Sequence, residues 1–126
     1  MPKRRLTLHV RIPPYEPPRN AWRHRLHCAI VSEQRLRRVR YRSTDLLELH
    51  IKLYIPGKSL EAHDVDNRMK DVMDALQGRA GGPKSERALA AIIPNDRQVY
   101  RATMVKSAPP GQSRGNGHLT VRRLRK

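Results

Sequence analysis

Leu47-Glu48-Leu49-His50-Ile51-Lys52-Leu53-Tyr54-Ile55, followed at once by Pro56-Gly57, sets the reading of the whole chain. Apolar and polar residues alternate with a period of two, which predicts a strand with one face toward a core. A loop through Lys58-Ser59-Leu60 then leads into a segment of different period. There Val65, Met69, Val72, Met73 and Leu76 make a helical stripe, with Gly78 placed to cap its C-terminus. A strand followed by an amphipathic helix points to an α/β arrangement.

Working toward the N-terminus, Leu6, Leu8, Val10 and Ile12 alternate with Thr7, His9 and Arg11, a second half-buried strand. Pro13-Pro14 and Pro17-Pro18 stop it and make a stiff connection. From Arg19 the period becomes helical, with Trp22, Leu26, Ala29, Ile30, Leu36 and Val39 on one side. Arg23, His24, His27, Arg35, Arg37, Arg38, Arg40 and Arg42 fall on the other, a very basic face. Toward the C-terminus, residues 79–84 read as a flexible loop, and Ser85 starts a short helix reaching about Ala91. Pro94 breaks the chain before Asn95-Asp96. Val99–Val105 reads as a third strand and residues 107–117 as a mobile turn. Leu119 and Val121 mark a final strand before a basic tail. The order predicts a single α/β domain over residues 1–126, with a mixed sheet and its helices packed on one face.

The charge balance narrows the partner. Against 27 Lys and Arg stand 11 acids, for a formal net charge of +16. A pI near 11.3 calls for a polyanion, nucleic acid first and an anionic membrane second. Arginine predominates among the cations and suits bidentate phosphate contacts, although an arginine-rich codon bias would produce the same excess. With few acids to neutralise the first helix, Arg23, Arg35, Arg37, Arg38 and Arg40 are its candidate DNA contacts. No apolar run is long enough to span a membrane. The alternating N-terminal segment does not resemble a signal peptide, so a cytoplasmic, DNA-associated location is expected. Cys28 is the single cysteine, which fits a reducing compartment and is expected to be packing.

Four of the 11 acids fall in one short stretch, as Asp64, Asp66, Asp71 and Asp74. A protein that binds a polyanion directly has no use for clustered carboxylates, but one that places a divalent cation against phosphate does. Asp66, Lys70 and Asp74 share one helical face, opposite the apolar stripe. Asp64 joins Asp66 only if it sits at the loop-to-helix junction, because two residues within a helix turn through about 200°. Two carboxylates brought together need a cation to stay ionised, and oxygen ligands with retained water suit Mg²⁺. Asp96, alone after a proline break, is a further acid that could approach from another direction. The plain alternative is helix capping by Asp and an ordinary surface Asp-Lys pair.

The run Asp64-Val65-Asp66-Asn67-Arg68-Met69-Lys70, then Asp74-Ala75-Leu76, then Asn95-Asp96-Arg97-Gln98-Val99, resembles the RusA family of Holliday-junction resolvases. Those are small basic endonucleases, typically of phage or prophage origin. Their pattern is D-x-D-N-x-x-K-x-x-x-D-A-L followed later by D-D-x-Q-V. The resemblance implies a RusA-like mixed α/β fold working as a homodimer that nicks a four-way junction symmetrically. It implies Asp64, Asp66 and Asp96 as catalytic metal ligands for Mg²⁺, with Mn²⁺ as a substitute, and Lys70 as the essential cation beside them. Asn67 and Asp74 take supporting positions. Asn95 departs from the pattern by replacing the first Asp of the later motif. The stretch between the motifs is also roughly ten residues longer than usual, a change that costs little closure entropy.

Two rival readings share this composition. One is a non-catalytic basic nucleic-acid-binding protein, which leaves the acidic cluster unexplained. It also lacks the aromatics of a base-stacking platform: the chain has no Phe, one Trp and four Tyr. The other is a nuclease for flaps or other branched DNA. His63 beside Asp64 is not assigned as a ligand, since no second His lies at ligand spacing.

Overall fold

The computed structural model describes residues 6–16, 18–55, 65–79, 90–94, 96–109 and 116–124. Along the chain run β1 (Leu8–Ile12), α1 (Arg19–Arg37), β2 (Leu47–Tyr54), α2 (Val65–Leu76), a 3₁₀ turn (Asp96–Gln98), β3 (Val99–Ser107) and β4 (Gly117–Arg123). The strands form one sheet in the order β1-β4-β2-β3. β4 lies antiparallel to both β1 and β2, and β3 runs parallel to β2, so the sheet is mixed. The chain is a single small α/β domain with a four-stranded sheet and, among the described residues, two α-helices.

Alternation decides which side of the sheet is buried. Leu8, Val10 and Ile12 of β1, Leu47, Leu49, Ile51 and Leu53 of β2, and Leu119 and Val121 of β4 point into one core. Trp22, Leu26 and Ile30 of α1 meet them there with Val72, Ala75 and Leu76 of α2. Trp22 is fully buried and donates its indole N–H to the Pro13 carbonyl at 3.1 Å, tying the proline connection to the helix it precedes. Tyr15 packs edge-on against the same ring, with centroids 5.1 Å apart.

Gly78 caps α2 as its position predicts. It takes φ 78°, its N–H donates to Ala75 O at 3.0 Å, and the Arg79 N–H donates to Asp74 O at 2.8 Å. That is the paired bonding of a Schellman motif, which a left-handed glycine permits without a Cβ clash. The Leu76 carbonyl then accepts from the N–H groups of Ile92 and Ile93, returning the chain to the core at two buried side chains.

Several expectations are corrected. The first helix ends at Arg37 instead of running on to Val39. Arg38 adopts a left-handed conformation (φ 57°), and the Val39 N–H folds back to Gln34 O. Leu36, in the last turn, is 70% exposed, while Val39 just beyond the helix end is buried. Cys28 is exposed, not packed: it lies two residues from the buried Leu26, on the far side of the helix. The 79–84 loop beyond Arg79 and most of the 107–117 turn lie outside the described residues. So does the short helix from Ser85, except for Ala90 and Ala91, which are not helical. No helix of the described residues is long and apolar enough to cross a membrane.

Gly117 opens β4 where β2 passes closest. A Cβ there would meet the Lys52 carbonyl oxygen at 2.4 Å and the Leu53 backbone at 3.2 Å. Gly117→Ala is expected to lower stability by about 1–3 kcal/mol, since backbone on both strands must move. Urea unfolding of the two proteins measures this, and equal midpoints would show that β2 and β4 can separate freely at this point.

Candidate functional site

The acidic helix is fixed to the basic helix by an ion cluster that its sequence does not advertise. Asp71 of α2 is completely buried, and one of its oxygens, Oδ1, takes both arginines of the first turns of α1. Arg19 donates from Nε at 3.0 Å and approaches with Nη2 at 2.8 Å. Arg23 does the same at 2.9 and 2.8 Å. Arg23 Nη2 also reaches Asp74 Oδ2 at 3.0 Å. Arg68, one turn back on α2, lies 3.3 Å from Asp71 Oδ2 and stacks over the Tyr15 ring at 4.2 Å. The hydrogen bond that Arg19 donates to Asp71 is the main reason its guanidinium pKa lies above its ordinary value.

This cluster removes one residue from the candidate DNA face. Arg23, expected among the exposed arginines of the first helix, is 6% exposed and faces α2. Its neighbour one turn on, His27, is also buried, with Nε2 2.8 Å from the Ala90 carbonyl. Asp74, expected on an outward face with Asp66 and Lys70, sits instead at the junction of the two helices. The physical reason is shared: α1 and α2 pack through charged side chains beside the apolar stripe, and guanidinium and carboxylate enter a low-dielectric contact only as hydrogen-bonded partners.

The remaining basic residues do face solvent. Arg35, Arg37, Arg38 and Arg40 are all exposed around the C-terminal end of α1. Arg35, Arg38 and Arg40 line a cleft of about 630 Å³ with Val31, Gln34 and Val39. Arg37 has a nearby carboxylate, Glu33, at 3.6 Å one turn back.

Of the expected metal ligands, Asp64 lies outside the described residues. Asp66 is the second residue of α2 and Asp96 the first of the 3₁₀ turn, with both carboxylates outside what is described. Lys70 is exposed on α2, one turn beyond Asp66, and Asn67 is exposed beside it. Among the described residues no group of three or more His, Cys, Asp or Glu could hold a metal ion.

The turn that carries Asp96 is anchored by a residue whose importance the sequence hid. Gln98 is 3% exposed, and its amide nitrogen donates to the carbonyls of Arg42 and Asp45, each at 2.8 Å. Asp45 in turn closes its own loop by accepting from the Arg42 N–H at 2.7 Å. Gln98 therefore ties the start of β3 to the loop that enters β2. Its place in the Asn95-Asp96-Arg97-Gln98-Val99 run was the available signal.

A second unforeseen cluster lies on the sheet. Glu48 of β2 is 1% exposed although it points away from the helices. Arg122 of β4 donates to its Oε1, His50 Nε2 lies 3.6 Å from the same oxygen, and Arg101 Nη1 is 3.7 Å from Oε2. A bulge at the start of the β2–β3 pairing brings Arg101, not Tyr100, opposite Glu48. The Arg122 hydrogen bond holds the Glu48 carboxyl below its ordinary range.

Compared with known proteins, the chain matches no family profile and no curated protein.

Two outcomes follow from these clusters. Asp71→Asn leaves the buried Arg23 and Arg68, with the half-exposed Arg19, facing a neutral amide and is expected to cost about 3–5 kcal/mol, read as a fall in the denaturation midpoint. A loss within error of zero would mean that water reaches the cluster. For Glu48 the depressed titration stabilises the folded state above the carboxylate's unfolded pKa, and this contribution disappears as pH falls through the folded value. The stability gap between wild type and Glu48→Gln should therefore be present at neutral pH and close under acid conditions. A gap constant across that range would show that Arg122 does not act through charge.

Proposed function

We propose that this chain is a metal-dependent endonuclease for branched DNA, a Holliday-junction resolvase of the RusA type with a RusA-like fold. The observation that carries the reading is the fate of the four clustered acids. Asp71 and Asp74 serve the contact with α1, so they hold the helix and are not available to a metal. That division of labour leaves Asp64 and Asp66, whose carboxylates lie outside the described residues, as the acids of the cluster that the motif offers to a metal. The D-x-D-N-x-x-K spacing and the later Asp96 within N-D-x-Q-V complete the motif.

The donor set fits the cation it would need. Three aspartates offer hard oxygen ligands, the preference of Mg²⁺ and Mn²⁺ over softer metals. Asp64, Asp66 and Asp96 would hold the ion, which when bound polarises the scissile phosphate and acidifies the attacking water. Lys70, exposed one turn from Asp66, would meet negative charge growing on the phosphate or the leaving oxygen. Asn67 beside Asp66 would orient a carboxylate. Gln98 acts only by position, keeping the Asp96 turn against the β2 entry loop. Arg35, Arg37, Arg38 and Arg40 would bind phosphates of a junction arm, giving selectivity for shape more than for bases. A homodimer would supply the two active sites that paired nicks require, and a DNA-associated cytoplasmic setting follows from the substrate.

The test is incubation with a synthetic four-way junction and Mg²⁺. Wild type should make symmetric paired nicks, Asp66→Asn should make none, and Lys70→Ala should cut roughly 10²-fold more slowly while binding normally. Binding without cutting by wild type, in Mg²⁺ and Mn²⁺ alike, would support a non-catalytic binding protein instead. Faster cutting of flaps than of junctions would reassign the substrate.

A further inference from the structure

The face of the sheet turned away from the helices is uncovered among the described residues, and its chemistry is one-sided. Strand register arranges its side chains in cross-strand rows. Arg122, Glu48 and Arg101 make the first. His9, Thr120, His50 and Thr103 make the second, with His9 Nδ1 and Thr120 Oγ1 3.1 Å apart. Arg11, His118, Lys52 and Val105 make the third. The rows hold permanent cations on every strand against the single carboxylate of Glu48, which is itself covered by Arg122, Arg101 and His50.

Such a surface is unusual for a face exposed only to water. A solvated face ordinarily sets acids opposite its cations, since opposite charges on neighbouring strands stabilise the pair. In the third row Arg11 and Lys52 instead flank His118, two strands apart, and no acid stands opposite either of them. A polyanion lying across the rows would supply the missing counter-charge. A shallow depression of about 260 Å³ follows the same rows, lined by His50, Lys52, Thr103, His118 and Thr120. Ammonium, imidazole and hydroxyl groups are a donor set for phosphate oxygens.

Charge also decides against other occupants. A twofold pairing through this face would set the patch against its own copy, cation on cation. Among its described residues Tyr54 is the one aromatic of the Phe, Trp and Tyr class, and it packs edge-on against His118 with centroids 5.7 Å apart, which is no platform for stacking successive unpaired bases. We propose that the open sheet face is a second nucleic-acid surface, contacting duplex phosphates on the side of the domain opposite the helix layer that carries Arg35, Arg37, Arg38 and Arg40. One protomer thereby holds two stretches of backbone at once, a geometry suited to DNA whose arms leave in different directions. The inference rests on the proposed function for the identity of the polyanion as DNA, not for cleavage.

The experiment is equilibrium binding of the full chain to a four-way junction in EDTA, across a salt series, by fluorescence anisotropy. Lys52→Gln/Arg101→Gln should weaken binding at least about tenfold and reduce the log–log salt slope by about 2, one for each phosphate that is no longer neutralised. Arg79→Gln, an exposed cation on neither surface, should keep the wild-type slope. Thermal melts confirm that each variant is folded, and Lys52→Gln alone, on an exposed side chain, serves if the double variant is not, with an expected slope change of about 1. Wild-type slope and affinity in the folded face variant would overturn the proposal, as would a change confined to oligomeric state in sedimentation. Because no cleavage is read, failure of the resolvase activity leaves this result interpretable, and loss of the salt effect leaves the cleavage test standing.

Discussion

One buried carboxylate, Asp71, helped by Asp74, holds α1 and α2 in register. It is fully buried, and a charge in that position is tolerated only with partners that meet it at hydrogen-bond distance. Arg19 and Arg23 provide them from α1, so α2 can rotate or slide against α1 only by breaking charged bonds to a buried carboxylate. An apolar stripe alone would leave the rotation of a 12-residue helix loosely set, because hydrophobic contact is not directional. The ion cluster supplies the direction. The orientation of Lys70, on the same helix, follows from it.

The sheet shows the same principle on its other side. Among the described residues Glu48 is the one carboxylate on the open face, and it gathers Arg122, Arg101 and His50 from three strands around itself. A bulge is needed to bring Arg101 into that group. The result is a cationic surface whose side chains are ordered before any ligand arrives, which lowers the entropy lost on binding. The protein thus uses acids sparingly. Among the described residues only Glu48 and Asp71 of its acids are buried, and each organises arginines around itself.

Much of the fold was legible because strands and helices announce themselves through neighbours in the chain. The alternation of Leu47 to Ile55 and of Leu6 to Ile12, the stripe of Met69, Val72 and Leu76, and Gly78 as a cap are all local patterns, and the observed β1, β2 and α2 agree with them. Less was legible at the site. The motif residues Asp64, Asp66 and Asp96 stood out by spacing. The exposed and the buried arginines of α1 look alike as a string of letters, however, and Gln98 gave no sign of the two carbonyls it holds. Leu36 and Cys28 failed because apolar letters at helical spacing drew the stripe too broadly: of the apolar residues of α1 only Trp22, Leu26 and Ile30 are buried.

From the sequence by itself came the element types, the one-sided sheet, the cationic excess and the acidic motif, since each depends on composition or on residues a few positions apart. Tertiary structure alone decided the strand order β1-β4-β2-β3, which joins the first and last strands. It alone also decided which charges are internal. Arg23 is buried because Asp71 waits 48 residues away, and Glu48 because Arg122 lies 74 residues on. A charged side chain is buried or exposed according to whether folding delivers its counter-charge, and that delivery is a property of the three-dimensional packing.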